Sequence, residues 1–344
     1  MNRIESVDIF RLIAIIGVIV IHTTPFRSGP VADNEIAFDL AVLCNQLVRF
    51  AVPFFFIISG YFWGLKVRQG EDTLSITLNR VGRLLFLYIA WCLIYLLPLD
   101  IGAFFEWGVL GPVKVSYWAI DNLMNDPVRL IFEGTRSHLW FLIGLVCALV
   151  ITGCLLAIKQ TGLLVIVSVC LYLCGVLAKS YADTPLGIDL GFNTRFGPFF
   201  STLLFVTGYL LSGKRPETRW AVLGLVVFAV GCVMHFSEIY FLWKVYGTRP
   251  EHDYVIGTYF MGLGVALAAL SNHPLLRSRL FGRIGKMTLG VYVVHYLYVD
   301  LFRPVDTLTD NPLWEPGYVL IVLLLSVLTT VLLSRYKLTR KLVL

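Results

Sequence analysis

The residues most able to do chemistry lie where they are least expected. The stretch from Val7 to Phe26 is apolar enough to cross a bilayer, yet it contains Asp8, Arg11 and His22. Ionisable side chains are expensive in hydrocarbon, so each needs a partner, a water-filled cavity or a task. On an α-helix, Arg11 and His22 are about three turns plus roughly 20° apart, which puts them on one face about 16 Å apart along the axis. Asp8 and Arg11, three residues apart, are placed to pair. An imidazole titrates near neutrality and suits a general base that takes a hydroxyl proton. Arg11 suits an anionic cofactor, and serves equally as a topogenic charge neutralised by its neighbour.

Further polar groups sit at comparable positions in other apolar runs. Arg49 opens a run that itself contains no acid, which points to binding of a substrate or polarisation of a carbonyl. His138 and Trp140, in Ser-His-Leu-Trp-Phe, open another run; the Trp alone suits an aromatic belt, and the His is expected at the depth of His22. Tyr292 and His295 can share a helix face, with Asp300 following, and Arg195 stands just ahead of another apolar run. These six residues, Arg49, His138, Trp140, Arg195, Tyr292 and His295, are the candidate substrate contacts. Arg80 with Arg83, and Arg283 with Lys286, suit phosphates, although the positive-inside rule alone accounts for them, and neither a G-x-G-x-x-G nor a P-loop strengthens the phosphate reading. Ser59-Gly60 permits close approach of helices.

The elements that must position these groups are transmembrane helices. Of 344 residues 58% are hydrophobic and 15% charged, where a soluble domain carries about a quarter charged. The expected fold is all-α: a polytopic membrane protein with ten transmembrane helices at about 7–25, 44–65, 84–104, 139–158, 162–179, 197–212, 219–236, 254–270, 287–302 and 316–334, forming one membrane-embedded domain over 1–344. With the N-terminus inside, the inner segments hold 17 Lys+Arg and the outer ones 9, which places both termini in the cytoplasm. The first span is expected to stay in the mature protein, since its charges and the lack of an A-x-A-like site do not fit a cleaved signal peptide. Segment 105–138 is too aromatic for a linker; it reads as helices along the membrane surface, with Ser116 as a cap and Asp126-Pro127 as an N-cap followed by a first-turn proline. Acidic residues gather on the outer side, which disfavours a strongly anionic acceptor except where Arg49 and Arg195 handle one. The +6 net charge lies in short loops, not in a basic aromatic surface, so no nucleic-acid partner is expected. The seven cysteines form no CxxC or Cys/His cluster, and neither disulfide nor metal is expected.

Taken in order, Arg-x10-His (Arg11, His22), Val-Pro-Phe-Phe-Phe-x-x-Ser-Gly-Tyr (52–61), the Arg80/Arg83 pair, His-Leu-Trp-Phe (138–141) and Gly-Val-Tyr-Val-Val-His (290–295) resemble the acyltransferase-3 family of integral membrane O-acyltransferases along essentially the whole chain. The resemblance is to its short stand-alone type, which acts on cell-surface glycans such as enterobacterial common antigen. It implies transfer of an acyl group, acetyl before succinyl, from cytoplasmic acetyl-CoA or a related acyl-CoA to a hydroxyl of a cell-surface or lipid-linked glycan, at the bacterial cytoplasmic membrane. In that family the Arg and His of the first span are essential. They map to Arg11 and His22 and bring Asp8 with them, while Arg80, Arg83, Ser59 and Tyr61 are assigned to the CoA donor. The competing expectation is a polysaccharide or lipid-linked-sugar exporter that transfers no acyl group. Oligomeric state is not legible.

Overall fold

In the computed structural model the chain is built of helices and turns, with no strand among the described residues, which are 4–27, 35–97, 101–309 and 311–344. The side chains at 35, 37, 101, 123, 279, 280, 283, 307 and 308 also lie outside the description, and with them the phosphate reading of Arg283, as does Arg3 of the charge count. The helices are α1 (Glu5–Thr23), α2 (Glu35–Leu47), α3 (Ala51–Arg68), α4 (Thr73–Leu96), α5 (Ile101–Trp107), α6 (Gly111–Asn125), α7 (Pro127–Glu133), α8 (Trp140–Ala157), α9 (Thr161–Leu177), α10 (Pro198–Leu211), α11 (Trp220–Tyr246), α12 (Ile256–Leu270), α13 (Arg279–Gly285), α14 (Thr288–Leu308) and α15 (Trp314–Arg335). Among the described residues six helical stretches are long and apolar enough to cross a membrane: α1, 38–68, α4, 137–157, α11 and α15. In α11 and α15 only 22% of the most apolar window is buried, so most of their apolar side chains face outward. Such a surface suits hydrocarbon and not water. This is a multi-pass membrane protein.

Six of the ten expected spans, the first four, the seventh and the tenth, coincide with these stretches, while the fifth, sixth and eighth fall on the shorter apolar helices α9, α10 and α12 and the ninth on α14; two differ clearly in extent. The third begins at Thr73, not near 84, because the amphipathic start TLSITLNRVGR is helical but too polar for a hydropathy reading. The seventh runs to Tyr246 through Glu238 and Lys244. Segment 105–138 does form helices (α5 to α7), whose Phe105, Tyr117 and Met124 are exposed, as is Leu110 in the turn between α5 and α6. Asp126 caps α7, accepting from the Arg129 amide at 2.9 Å. Ser116 is not a cap: it lies inside α6 and donates back to the Pro112 carbonyl at 3.1 Å.

The chain divides into two compact units. The first comprises Met1–Phe10, Arg49–Phe86 and Trp140–Arg279. Here α10 packs against α3, α8 and α9, and α12 against α3 and α11. The α3–α10 crossing is backbone on backbone: a Cβ at Gly208 would overlap the Ile57 carbonyl oxygen and stand 2.7 Å from the Tyr61 nitrogen. Glycine at such a crossing lets helices approach where lipid offers no hydrophobic drive to associate. Some buried hydroxyls bond back to the preceding turn, as Ser201 does to Gly197 (2.9 Å) and Thr207 to Leu203 (2.8 Å). The second unit comprises Arg11–Val48, Leu87–Leu139 and Leu280–Leu344, with α14 packed on α15 and α5. Tyr318 donates to the Val299 carbonyl (2.7 Å), and Trp91 to that of Leu342 (2.8 Å), which ties the C-terminus to α4.

Candidate active site

Helix α1 runs unbroken through Arg11 and His22, and both side chains are half-buried. The helix ends directly after His22. Thr24 and Phe26 take left-handed backbone (φ 45° and 64°), and the Phe26 amide donates to Glu315 Oε2 at 2.7 Å. That fixes the last turn of α1 and the imidazole it carries. Asp8 is buried and belongs with the first unit, while Arg11 belongs with the second.

Three imidazoles meet in the second unit. The His22 ring centroid lies 5.3 Å from that of His295 and 6.2 Å from that of His138, and His138 and His295 are 5.1 Å apart. His138 sits in a 3-10 turn (Ser137–Leu139) and is fully buried. Tyr296 stacks on it at 4.8 Å with the planes 8° apart, and the edge of Tyr95 meets it at 5.3 Å. The Tyr292 hydroxyl donates to the His138 backbone carbonyl, and the Tyr95 hydroxyl to the Val293 carbonyl at 2.8 Å. The ring is thus clamped on three sides by aromatics whose own polar ends are anchored.

His295 is also completely buried, and its tautomer follows from its partner. Nδ1 lies 2.6 Å from the Tyr292 carbonyl, which can only accept, so Nδ1 carries the proton. With the proton on Nδ1, a neutral ring keeps its lone pair on Nε2, a buried atom that has no hydrogen-bond partner among the described residues. A buried, oriented lone pair beside a second imidazole is equipped to accept a proton. Beyond the tyrosines lies charge: Asp300 binds Arg136 Nε (3.0 Å) through Oδ2 and Arg303 Nη2 (3.2 Å) through Oδ1.

The remaining candidates lie in the first unit, in two groups. Arg49 does have an acid, supplied by the segment before α12: Asp253 Oδ1 accepts from Arg49 and from Arg195, both at 3.2 Å, and Oδ2 faces Lys179 Nζ at 3.3 Å. This corrects the expectation drawn from the acid-free span. Arg195 lies over Trp140 at 5.3 Å. Burial disfavours the Asp253 carboxylate, but Arg195, Arg49 and Lys179 outweigh it and hold that carboxyl well below the usual range. The second group is a cavity of about 490 Å³ between the end of α3 and the start of α4, lined by Lys66, Arg80 and Arg83 with Glu71, Asp72, Ser75, Ile76 and Asn79. Ser59 and Tyr61 do not line it; they lie farther back on α3, Tyr61 buried and Ser59 half-buried. Among the described residues no group of three or more His, Cys, Asp or Glu is arranged to hold a metal ion.

Sequence reasoning singled out His22, His138, Tyr292 and His295, which the structure brings together; Arg49, Trp140 and Arg195, expected as substrate contacts alongside them, lie in the first unit. That reasoning did not single out Tyr95, Tyr296, Lys179 or Asp253, nor Arg136 and Arg303 as the partners of Asp300. Tyr296 follows His295 directly but is one of many tyrosines in apolar runs, and Asp253 is 204 residues from Arg49.

Curated relatives include an amino-acid racemase of Enterococcus faecalis, 27% identical over 89% of this chain and 42% of its own length, and a serine/alanine racemase of Enterococcus gallinarum, 28% identical over 85% and 40%. The chain therefore spans less than half the length of these relatives. No solved structure matches. The acyltransferase-3 family model, described as an acyltransferase domain, matches residues 4–335, and the chain belongs to that family.

Proposed function

We propose that the protein is an integral membrane O-acyltransferase of the bacterial cytoplasmic membrane, moving an acyl group, acetyl foremost, from cytoplasmic acyl-CoA to a hydroxyl of a cell-surface or lipid-linked glycan on the far side. The observation that carries this reading is the meeting of His22, His138 and His295 within about 6 Å in a chain of acyltransferase lineage. His22 is the general base. It removes the acceptor's hydroxyl proton as the oxygen attacks the thioester carbonyl; the tetrahedral adduct collapses, the C–S bond breaks, and the CoA thiolate leaves and takes up the proton. His295, with its proton fixed on Nδ1, offers Nε2 to share that proton. His138 and Tyr292 shape the acceptor's contact surface.

With both termini cytoplasmic, the α3–α4 connection faces the cytoplasm, and the basic cavity with Arg80 and Arg83 is the place for the donor's phosphates. Arg11 and Asp8 support donor binding in the inward half of α1. Ser59 and Tyr61 act through the packing of α3, since neither lines that cavity. Arg49, Trp140 and Arg195 are acceptor-side groups. Helices α5 to α7 lie along the outer membrane surface, with Lys114 over the rings of Trp107 (5.9 Å) and Trp118 (5.1 Å).

The test is release of CoA thiol by the purified protein given acetyl-CoA, or succinyl-CoA in a parallel arm, with and without an oligosaccharide acceptor. Acceptor-dependent thiol release supports the reading. An absence of donor consumption, with glycan crossing a vesicle bilayer, would establish an exporter instead. L-serine or L-alanine given without an acyl donor tests the activity for which the relatives are named, and no D-enantiomer is expected.

A further inference from the structure

Acyl transfer at the end of α1 needs more than a base. When the acceptor oxygen adds to the thioester, the carbonyl oxygen becomes an oxyanion, and a donor aimed at it is usually the largest single contribution to the rate. His22 and His295 are occupied with the acceptor's proton, so that donor must come from elsewhere in the cluster. Tyr95, Tyr292 and Tyr296 all pack against His138, and they differ in how their hydroxyl protons are spent. Tyr95 donates to the Val293 carbonyl at 2.8 Å and Tyr292 to that of His138, and both side chains are buried. Tyr296 is half-buried, and its hydroxyl works the other way round. Its oxygen accepts from Ser137 Oγ at 3.3 Å. It also hydrogen-bonds Arg303, whose guanidinium can only donate. With both acceptor positions of the phenol oxygen filled, what remains is its O–H, which donates to no group among the described residues. The Tyr296 ring stands among all three imidazoles, with centroids 5.2 Å from His22, 4.8 Å from His138 and 6.0 Å from His295. Arg303 is itself held by Asp300 at 3.2 Å. A hydroxyl that accepts from a guanidinium is a stronger donor, because each bond in such a chain polarises the next. All of these residues belong to the second unit.

We infer that Tyr296 is a further catalytic residue, whose hydroxyl hydrogen-bonds the thioester carbonyl oxygen as that oxygen becomes an oxyanion. The acceptor oxygen bonds to the carbonyl carbon, the carbonyl π pair moves onto the oxygen that faces Tyr296, and His22 holds the acceptor's proton. On collapse the pair returns to re-form the carbonyl, the C–S bond breaks, and the thiolate takes the proton from His22. Tyr296 keeps its own proton throughout. The inference rests on acyl transfer at His22 and adds the group that stabilises its transition state.

Tyr296→Phe deletes the hydroxyl and leaves the ring against the imidazoles, so it separates this role from packing. Purified full-length protein is given acetyl-CoA as donor and an N-acetylglucosamine oligosaccharide as acceptor, and thiol release is followed. For Tyr296→Phe kcat should fall at least about 100-fold, the usual loss when one such donor is removed. KM for acetyl-CoA should stay within about twofold, because the bond strengthens in the transition state and not in the ground state. A ring that serves packing alone gives the opposite pattern, with Tyr296→Phe silent and Tyr296→Leu damaged. The unfolding midpoint of each variant checks its fold. Should Tyr296→Phe prove unstable, Arg303→Gln decides, since that side chain is 58% exposed and its loss only weakens the polarisation of the phenol. A fall of about fivefold in kcat then supports the inference, and a wild-type kcat overturns it. If wild type releases acceptor-dependent thiol and a folded Tyr296→Phe protein does so at the same rate, the inference falls while acyl transfer stands. A wild-type protein that consumes no acetyl-CoA takes both down together.

Discussion

Replacing Gly208 by alanine adds one methyl group at the tightest crossing in the first unit. The new Cβ would overlap the Ile57 carbonyl oxygen and stand 2.7 Å from the Tyr61 nitrogen, 2.8 Å from the Ile57 carbonyl carbon. All three obstacles are backbone of α3, so no side chain can swing aside. Ordinary carbon contacts begin near about 3.5 Å, so the helices must part by roughly 1 Å, and a gap of that size forfeits a quarter to a half of each contact's dispersion energy. Overpacking with backbone movement costs about 3 kcal/mol. The control is Gly82→Ala in α4, where a Cβ meets nothing within 4 Å. There the methyl group only reduces chain freedom, a gain of about 0.5 to 1 kcal/mol. Reversible unfolding in mixed micelles, followed by tryptophan fluorescence, measures both. A Gly208→Ala protein as stable as wild type, or a Gly82→Ala protein equally damaged, would refute the reasoning that α3 and α10 are held backbone to backbone.

Two further outcomes concern stability. Asp253 is held below its usual carboxylate range and His252 below its usual imidazole range, so in both cases the unfolded chain binds the proton more tightly. Stability from His252 is full above about pH 6.5 and is lost as pH falls from there towards its folded value; that from Asp253 is full above about pH 4 and is lost below it. Unfolding midpoints across this range should decline in two stages, and Asp253→Asn should remove the lower one. Glu238 accepts from the amides of Ile256 and Gly257, both at 3.0 Å, and from the Tyr181 hydroxyl at 2.8 Å, closing the start of α12. Glu238→Ala should cost about 2 kcal/mol by the same unfolding assay, and Tyr181→Phe less.

How much of this was legible depended on what kind of force sets each feature. Apolar runs located the helices because burial in lipid acts on whole stretches of sequence. The same signal missed the first turns of α4, where Asn79, Arg80 and Arg83 sit on a helix lining a polar cavity. Helical period placed Arg11 and His22 on one helix, and the rarity of histidine in apolar runs marked His138 and His295. Partners distant in sequence stayed hidden. Nothing near Arg49 announces Asp253, and nothing in the spacing of Tyr292 and His295 shows that a carbonyl fixes the imidazole tautomer. Such pairings are products of tertiary packing, and no local pattern encodes them.

Acyl transfer from a thioester by the imidazole at the end of α1 is the central claim, and single-turnover transfer by His22→Ala tests it most directly. With acceptor and acyl-CoA held saturating, the variant should transfer at least about 100-fold more slowly than wild type, the usual contribution of a general base. Its unfolding midpoint should stay close to that of wild type, since the His22 side chain is only half-buried. Undiminished transfer by a folded His22→Ala protein would contradict the account.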